Sequence, residues 1–127
     1  MIIIFLMLKK GGEIMLRKLE CFIQPFKLDD IKNALFDCGV EGMTVSEVKG
    51  FGKQRGYING SFPNKDVKFM EKIKMEIVVE EDIVDNVIKT IVKLAKTGDF
   101  GSGKIFVVPV EDAIRIRTEE SGRSAII

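Results

Sequence analysis

Residues 68–80 read KFMEKIKMEIVVE, and every second position through most of this stretch is apolar. A period of two is typical of a β-strand that buries one face. That face comprises Phe69, Glu71, Ile73, Met75, Ile77 and Val79, and Glu71 alone breaks its apolar character.

Two earlier stretches of the sequence are predicted to be strands that could pair with this one. Leu19, Cys21 and Ile23 alternate until Pro25 ends the run, and residues 43–50 carry enough β-branched side chains for a further strand.

Two segments repeat with the period of a helix. In residues 27–38, Leu28, Ile31, Leu35 and Cys38 are spaced by 3, 4 and 3, acidic residues stand in the first turn, and Gly39 follows the last. In residues 82–96, Ile83, Val87, Ile91 and Leu94 form one apolar stripe, and Gly98 lies just past the end. The sequence therefore predicts one helix in each segment.

The order of these elements predicts the fold class. Residues 104–110 are typical of a fourth strand, residues 114–117 (IRIR) alternate as a short final strand, and 118–127 are polar and predicted to be mobile. The order β-α-β-β-α-β predicts a ferredoxin-like α+β domain with an antiparallel sheet and two helices on one face. A length of 127 residues and 46% hydrophobic residues suit one domain with a real core.

Composition excludes several classes of function. The chain has no histidine, so imidazole catalysis and histidine-ligated metals are ruled out, and Cys21 and Cys38 alone cannot build a four-ligand zinc site. Two cysteines without CxxC spacing fit a reducing cytosol, where they serve as small apolar fillers. A net charge of +1 gives no whole-chain attraction for nucleic acid or an acidic membrane.

The first fourteen residues look unlike the rest. Residues 1–8, MIIIFLML, are too few to cross a bilayer, and the lysines follow the apolar run, whereas a secretory signal places them before it. Residues 9–15, KKGGEIM, can be back-translated into a purine-rich run containing GGAGGTGA just before ATG, which resembles a bacterial-type ribosome-binding site. The hypothesis is that the start lies at Met15 and that 1–14 are a mis-assigned start or a disordered extension. The alternative is an extra edge strand or a partner-binding tail.

The strongest local feature is the glycine loop, residues 97–104 (TGDFGSGK), between the second helix and the fourth strand. Glycines allow backbone N–H groups to approach an anion and Lys104 adds a charge, although a simple helix-capping turn has the same composition. Arg115 and Arg117 would lie on one face of the final strand, where they suit bidentate phosphate contacts. An ordinary exposed strand face is the alternative.

A long projecting loop at about 51–68 separates the second and third strands. It contains Gly52, Gly56, Gly60 and Pro63 without any periodicity, and loops of this length are usually functional. Residues 49–74 hold seven basic and two acidic side chains, a balance of +5, which leaves −4 for the remainder. The loop could attract anions or an acidic partner, or could simply be a solvated loop.

Five stretches together resemble the P-II nitrogen-regulatory signal proteins, and the likeness runs from Leu16 to about Ile127. They are residues 25–29 (PFKLD), 42–54 (GMTVSEVKGFGKQ), 72–79 (KIKMEIVV), the glycine loop and 114–118 (IRIRT). The resemblance implies a cytosolic homotrimer whose three inter-subunit clefts bind ATP or ADP. It further implies that 2-oxoglutarate joins the Mg-ATP form and that the projecting loop docks on targets.

The resemblance also assigns site residues by position. The expected nucleotide-binding set is Thr44, Gly52, Lys53, Glu76, Val78, Thr97, Gly101, Ser102, Gly103, Lys104, Arg115 and Arg117. Of these, Thr44, Glu76 and Val78 belong to the adenine and ribose end, and the residues from Gly101 to Lys104 hold the phosphates with the two arginines. Gln54 would ligate Mg²⁺ together with ATP and 2-oxoglutarate oxygens, and Lys72 would pair with a 2-oxoglutarate carboxylate.

The departures from the family pattern concentrate in the loop. Lys53 replaces the usual arginine, which weakens a bidentate phosphate contact. Ser102 replaces the usual aspartate, a change that backbone amide contacts survive. The loop is one residue shorter, and the tyrosine that many members modify has no counterpart. Tyr57 lies near the loop base and is not assigned that role, and Ser61 could be modified or be a plain loop serine.

Three functions remain to be separated. The favoured one is a non-enzymatic sensor whose loop changes its fit to an ammonium transporter or a nitrogen-assimilation enzyme by population shift. A slow ATPase would need a water-positioning carboxylate, and none is evident. Nucleic-acid binding would need the paired exposed aromatic side chains of an RNA-recognition sheet. The chain is therefore expected to be cytoplasmic, to bind no nucleic acid, and to meet a membrane only through a transporter.

The hypothesis of a start at Met15 predicts the mass of the native protein. Intact-mass spectrometry of protein purified from its own source should give a mass that lacks residues 1–14. A mass that includes those residues would refute the hypothesis and favour the strand or tail.

Overall fold

The computed structural model describes residues 15–52, 68–98 and 101–127. Four strands and three helices follow one another along these ranges. In chain order they are β1 (Leu16–Ile23), α1 (Leu28–Asp37), β2 (Thr44–Gly50), β3 (Met70–Glu80), α2 (Val84–Ala95), β4 (Lys104–Val110) and α3 (Arg123–Ile126). A single 3₁₀ turn precedes each of the two longer helices, at Pro25–Lys27 and Glu81–Ile83.

The strands form one antiparallel sheet in the order β2-β3-β1-β4. The central strand β1 pairs with β3 on one side, where Cys21 lies opposite Met75, and with β4 on the other, where it lies opposite Ile105. This order and the element sequence confirm the predicted α+β architecture with a four-stranded antiparallel sheet. None of the helices among the described residues is long and apolar enough to cross a bilayer.

The core lies between one face of the sheet and the two longer helices. The inward side chains of β1 and β3 are almost fully buried: Leu19, Cys21, Ile23, Ile73, Met75, Ile77 and Val79. They form one cluster with Ile31 and Leu35 of α1 and with Val87 and Ile91 of α2. The periodicities of two and of about 3.6 that the sequence shows are therefore the core-facing positions of these four elements.

The apolar face of β3 starts later than the sequence suggests. Phe69 precedes the strand and is exposed, and Glu71 is exposed as well, so burial begins only at Ile73. Phe69 instead packs against Phe51, with ring centroids 5.5 Å apart. The two rings meet where the chain leaves β2 and returns to β3.

The prediction of a final strand at 114–117 is wrong. Only Ile114 makes a bridge, to Ser121, because the chain reverses at once and residues 116–118 form a turn. Ile116 is 95% exposed, so its apolar side chain buries nothing in this chain. The segment 118–127, predicted to be mobile, folds back and includes the short helix α3. Residues 1–14 and most of the projecting loop, 53–67, lie outside the described residues.

Gly103 sets how closely the glycine loop approaches the sheet. Its φ is +119°, and a Cβ placed there would lie 2.0 Å from the carbonyl oxygen of Phe22 at the end of β1. Gly98 also has a positive φ, +85°, but a Cβ there would meet nothing within 4 Å. Both positions favour glycine by conformation, and only Gly103 needs it for space.

These two glycines predict different losses of stability. Gly98→Ala should lower the free energy of unfolding by about 1–2 kcal/mol, the cost of the left-handed conformation. Gly103→Ala adds an overpacking cost of about 1–3 kcal/mol to that strain, because a backbone atom must move. Urea unfolding of the two variants measures the difference. Equal losses would contradict the close contact with Phe22.

Cys21 is fully buried, and that burial raises the pKa of its thiol from 9.0 to about 12. The folded chain therefore keeps a proton that the unfolded chain loses above about pH 9. The contribution to stability is complete below the unfolded pKa and is lost as the pH rises towards 12. The thiolate is disfavoured, so this cysteine should be unreactive while the protein is folded.

The pH dependence can be isolated with Cys21→Val. Between about pH 9 and pH 12 the wild type should lose about 1.4 kcal/mol of unfolding free energy per pH unit more than the variant does. Urea titrations of both proteins across this range check it, since every other titrating group is common to the two. If the unfolding free energies of the two proteins changed in parallel with pH, Cys21 would have the same pKa in the folded and unfolded chain.

Candidate functional site

Four chain segments meet at one end of the sheet, here called the loop end. At the loop end β1 stops at Ile23, β2 stops at Gly50, β3 begins at Met70 and β4 begins at Lys104. Gly50 lies opposite Met70, so the projecting loop leaves and returns here, and Gly52 follows directly. The glycine loop enters β4 at the same end. The fold therefore places the described ends of the two loops that the sequence singled out at the same end of the sheet.

The carbonyl oxygen of Gly101 is held from two strands. The Lys72 ammonium donates to it over 3.1 Å, and the Gln24 side-chain amide donates over 3.0 Å. Lys72 is on β3 and Gln24 follows the neighbouring strand β1, so donors from two adjacent strands hold the glycine loop against the sheet. The φ of Gly101 is +91°, a conformation that glycine adopts without strain.

A second pair of contacts closes the glycine loop at its base. The Thr97 backbone N–H donates to the Ser102 hydroxyl over 3.0 Å, and the two hydroxyl oxygens lie 2.7 Å apart. The two ends of the loop are thus joined by Thr97 and Ser102, both of which belong to the predicted nucleotide-binding set. Residues 99–100, at its apex, lie outside the described residues.

A cavity of about 300 Å³ opens beside the glycine loop, between α2 and β4. Apolar side chains line most of it, and Lys96, Ser102, Gly103 and Lys104 lie along it. A largely apolar wall with a few cationic and polar groups suits an anion that carries an apolar part. Ser102, Gly103 and Lys104 were predicted site residues, and the structure brings them together here.

The face of the sheet opposite α1 and α2 is here called the open face, and the short helix α3 contacts it at the end of β3. Direct strand pairing places Thr44 opposite Glu76, and Val78 two residues further along β3 lies opposite Lys18. Their inward neighbours Met75, Ile77 and Val79 are buried in the core, so Glu76 and Val78 occupy the open face. The three residues assigned to adenine and ribose therefore cluster on this face.

Glu76 belongs to a group of four alternating charges on the open face. Lys18 lies 3.4 Å from the Glu76 carboxylate, and Lys74 lies 3.2 Å from Glu20 and 3.8 Å from Glu76. All four side chains are a quarter to a third exposed. Two lysines and two carboxylates balance, so the group presents hydrogen-bonding atoms without net charge.

Aromatic rings adjoin these charges. Phe22 meets Phe106 edge to face with centroids 6.1 Å apart, and the Lys74 ammonium lies 6.0 Å from the Phe22 centroid. Lys104 is directly opposite Phe22 across the β1–β4 pair. The open face thus combines an apolar ring surface, a balanced charge group and a cation at the start of β4.

Arg115 and Arg117 do not share a strand face, because no strand forms there. The Arg115 guanidinium donates to the main-chain oxygen of Ile127 and lies 3.6 Å from the Glu120 carboxylate. Arg117 stands in the turn and is exposed. The alternating sequence IRIR does not form a strand, because the chain turns directly after Ile114. A strand would need a neighbouring strand to pair with, and the described residues provide only the single bridge from Ile114 to Ser121.

The structure separates other members of the predicted set. Thr44 is on β2 and Lys104 is on β4, at opposite edges of a four-stranded sheet, so three strand spacings of about 4.8 Å lie between them. Lys53 and Gln54, predicted to bind phosphate and Mg²⁺, lie outside the described residues. Within the ranges described, no cluster of three or more His, Cys, Asp or Glu side chains is placed to hold a metal ion.

Sequence reasoning missed two residues that position the site. Gln24 holds Gly101 from 77 positions away, and Phe22 supplies both the carbonyl against Gly103 and the ring on the open face. Gln24 directly follows β1 and precedes Pro25, a position that predicts only the end of a strand. Nothing in the spacing of these residues indicates the contact.

Known proteins match the chain over almost its whole described length. A sequence profile described as "Nitrogen regulatory protein P-II" matches residues 16–120. The "Nitrogen regulatory protein P-II" of Microchaete diplosiphon is 48% identical over 112 residues, which span 87% of this chain and all of the relative. The "Nitrogen regulatory protein P-II 1" of Escherichia coli K12 is 49% identical over 115 residues, with the same two coverages.

A solved structure agrees with the fold. The crystal structure of Arabidopsis thaliana PII bound to citrate is similar with a TM-score of 0.73 and 41% identity, and the match covers 91% of this chain and 93% of the plant protein. The matched range of the profile includes β1 through β4, the glycine loop and both arginines. With this fold, this loop end and full-length relatives, the chain belongs to the P-II nitrogen regulatory protein family.

Proposed function

We propose that this protein is a cytoplasmic sensor of nitrogen, carbon and energy status that binds ATP or ADP, with Mg²⁺ and 2-oxoglutarate joining ATP. The single observation that carries the proposal is the loop end, where the glycine loop, Lys72 and the base of the projecting loop lie together. The relatives are named as regulatory proteins, which supports a regulator rather than an enzyme.

The phosphates are assigned to the glycine loop. Gly101 and Gly103 have positive φ values, so their backbone approaches a ligand without side chains in between, and Lys104 begins β4 beside them. Thr97 and Ser102 close this loop through their hydroxyls. Gly52 and Lys53, at the base of the projecting loop, are assigned to the same phosphates. Arg115 and Arg117 are assigned to phosphates as well, but they follow the opposite end of β4, a strand of seven residues that spans about 20 Å, so they would reach the phosphates of a neighbouring copy.

The nucleoside is assigned to the open face. Thr44, Glu76 and Val78 cluster there beside the ring surface of Phe22 and Phe106. Carboxylate and hydroxyl oxygens can accept the N–H and O–H groups of a base and a ribose, and an apolar ring surface can pack against a base. The balanced charges around Glu76 leave the site's net positive charge at the glycine loop, where the phosphates would lie.

The carboxylates of 2-oxoglutarate are assigned to Lys72, and Mg²⁺ to Gln54 with oxygens of both ligands. The Lys72 ammonium already ends at the glycine loop, so a carboxylate bound beside the phosphates would meet it there. A bound Mg²⁺ would supply the positive charge that lets two anions share one site. The citrate-bound plant relative supports a site for a small polycarboxylate in this fold.

A homotrimer would complete three such sites. Residues of the proposed site occur on β2 and on β4, the two opposite edges of one sheet. Two copies packed side by side would bring the β2 edge of one next to the β4 edge of the other, and a ring of three leaves no edge unused. Ile116 and Phe106, exposed in the single chain, would gain apolar partners there.

The projecting loop is assigned the output. Its base adjoins the glycine loop, so a ligand that binds there can favour one loop conformation by its differential contacts. The partner would be an ammonium transporter or a nitrogen-assimilation enzyme. Contact with a membrane would come only through the transporter, and no nucleic acid is involved.

This function predicts that 2-oxoglutarate binds only after Mg-ATP. Titration calorimetry should show 2-oxoglutarate binding in the presence of Mg-ATP and little binding with ADP. Lys72→Gln keeps a donor for Gly101 and loses the charge, so it should weaken 2-oxoglutarate about ten- to a hundredfold, equivalent to about 1.5–3 kcal/mol. ATP alone should bind with nearly wild-type affinity.

Lys49→Gln provides the matched control. Lys49 is an exposed lysine near the loop end, on the opposite face of β2 from Val48, whose cross-strand partner is Lys72. It carries the same change of charge and should leave both affinities unchanged. Equal 2-oxoglutarate binding without nucleotide would remove Gln54 from its proposed role, and an equal effect of both substitutions would contradict the assignment of Lys72.

A further inference from the structure

The Arg115 guanidinium is already paired within the chain. One of its nitrogens donates to the main-chain oxygen of Ile127, and another lies 3.6 Å from the Glu120 carboxylate. Both partners are oxygens, and both come from the segment 118–127, which follows the arginine. Two oxygens on one guanidinium is the arrangement that a bound phosphate or carboxylate offers.

Backbone bonds shape this segment around Arg115. The Arg115 N–H donates to the Glu120 carbonyl over 2.8 Å, and the Glu119 N–H donates to the Arg115 carbonyl over 2.7 Å. Glu119 has a φ of +62°, and Ile114 bridges to Ser121. The turn therefore brings the carboxylate of Glu120 back beside the arginine that precedes it by five residues.

A second set of contacts fastens the far end of the segment to the body of the protein. The Arg123 guanidinium lies 2.6 Å from the Glu80 carboxylate at the end of β3. The Gly122 N–H donates to the Ala113 carbonyl over 2.9 Å and lies 3.1 Å from an Asp112 carboxylate oxygen. Arg123 is in α3, the helix that leads to Ile127.

We propose that residues 118–127 form a clasp that occupies Arg115 and competes with the anionic ligand for it. The inference rests on the proposed function, because it takes Arg115 to be a phosphate-binding residue of the site that a neighbouring copy completes. In the closed clasp Ile127 and Glu120 take the place of ligand oxygens, and Arg123 holds the clasp to the sheet. Ligand binding requires the clasp to open, so it sets the apparent affinity of the site.

The contacts suit a clasp that opens readily. The Arg115–Glu120 pair is 3.6 Å long and joins side chains that are 31% and 45% exposed, and ion pairs this accessible to water are weak. Affinity falls in proportion to the fraction of molecules with the site open, so a clasp closed in about nine-tenths of molecules weakens binding about tenfold. Variants that open the clasp should therefore bind up to about tenfold more tightly.

Three variants of the full chain separate the clasp from simple charge effects. Arg123→Ala releases the clasp from Glu80 and also removes a positive charge, which by electrostatics alone would weaken anion binding. Glu120→Gln removes the carboxylate beside Arg115. Glu119→Gln makes the same change of charge one residue away, at a side chain without an ion pair among the described contacts, and serves as the control.

Titration calorimetry with ATP, and separately with inorganic tripolyphosphate, measures the affinities. Arg123→Ala and Glu120→Gln should bind both probes about three- to tenfold more tightly than the wild type, and Glu119→Gln should match the wild type. Hydrogen exchange at the Gly122 amide should accelerate when either probe binds, because the bond to Ala113 breaks as the clasp opens.

The outcomes distinguish a failure of the clasp from a failure of the proposed nucleotide site. Unchanged affinities for ATP in all variants, with Gly122 still protected, would overturn the clasp and leave the nucleotide site standing. Tripolyphosphate that binds more tightly to both clasp variants, with no binding of ATP, would keep the clasp and overturn the nucleotide. No binding of either probe to any variant would overturn both.

Discussion

The burial of the inward side chains of β1 and β3 beneath the two longer helices holds the rest of the molecule in place. Leu19, Cys21 and Ile23 are almost without exposure, and each is followed or preceded by a residue on the open face. A shift of register by one residue would move this whole set to the solvent, so the pairing is strongly specified. The positions of the candidate site residues on the strands follow from this register.

The same strand register determines which side chains lie on the open face. With alternate positions committed to the core, the remaining positions of β1 and β3 hold Lys18, Glu20, Lys74 and Glu76, which lie close enough to pair. The charges balance, so the open face is polar without attracting anions strongly. In the proposed function, the positive charge that faces the phosphates comes instead from Lys72 and Lys104 at the loop end.

At the loop end, contacts with the sheet restrict the conformation of the glycine loop. Glycines alone would leave residues 97–104 with many conformations. Gly103 against the Phe22 carbonyl, and Gly101 held by Gln24 and Lys72, select one of them at the described residues. The described ends of the projecting loop lie at the same end of the sheet, which is where the proposed function requires a bound ligand to act.

The sequence by itself determined the elements and the fold class, because the periods of two and of 3.6 record which side chains face the core. It also indicated the glycine loop and, through the family resemblance, the residues that are proposed for the site. Only the tertiary structure decided that Gln24 meets Gly101, that Phe69 packs on Phe51 outside the core, and that Arg115 and Arg117 part at a turn. These outcomes depend on contacts between residues that are distant in sequence, or on whether a segment has a neighbouring strand to pair with. A local sequence pattern contains information about neither.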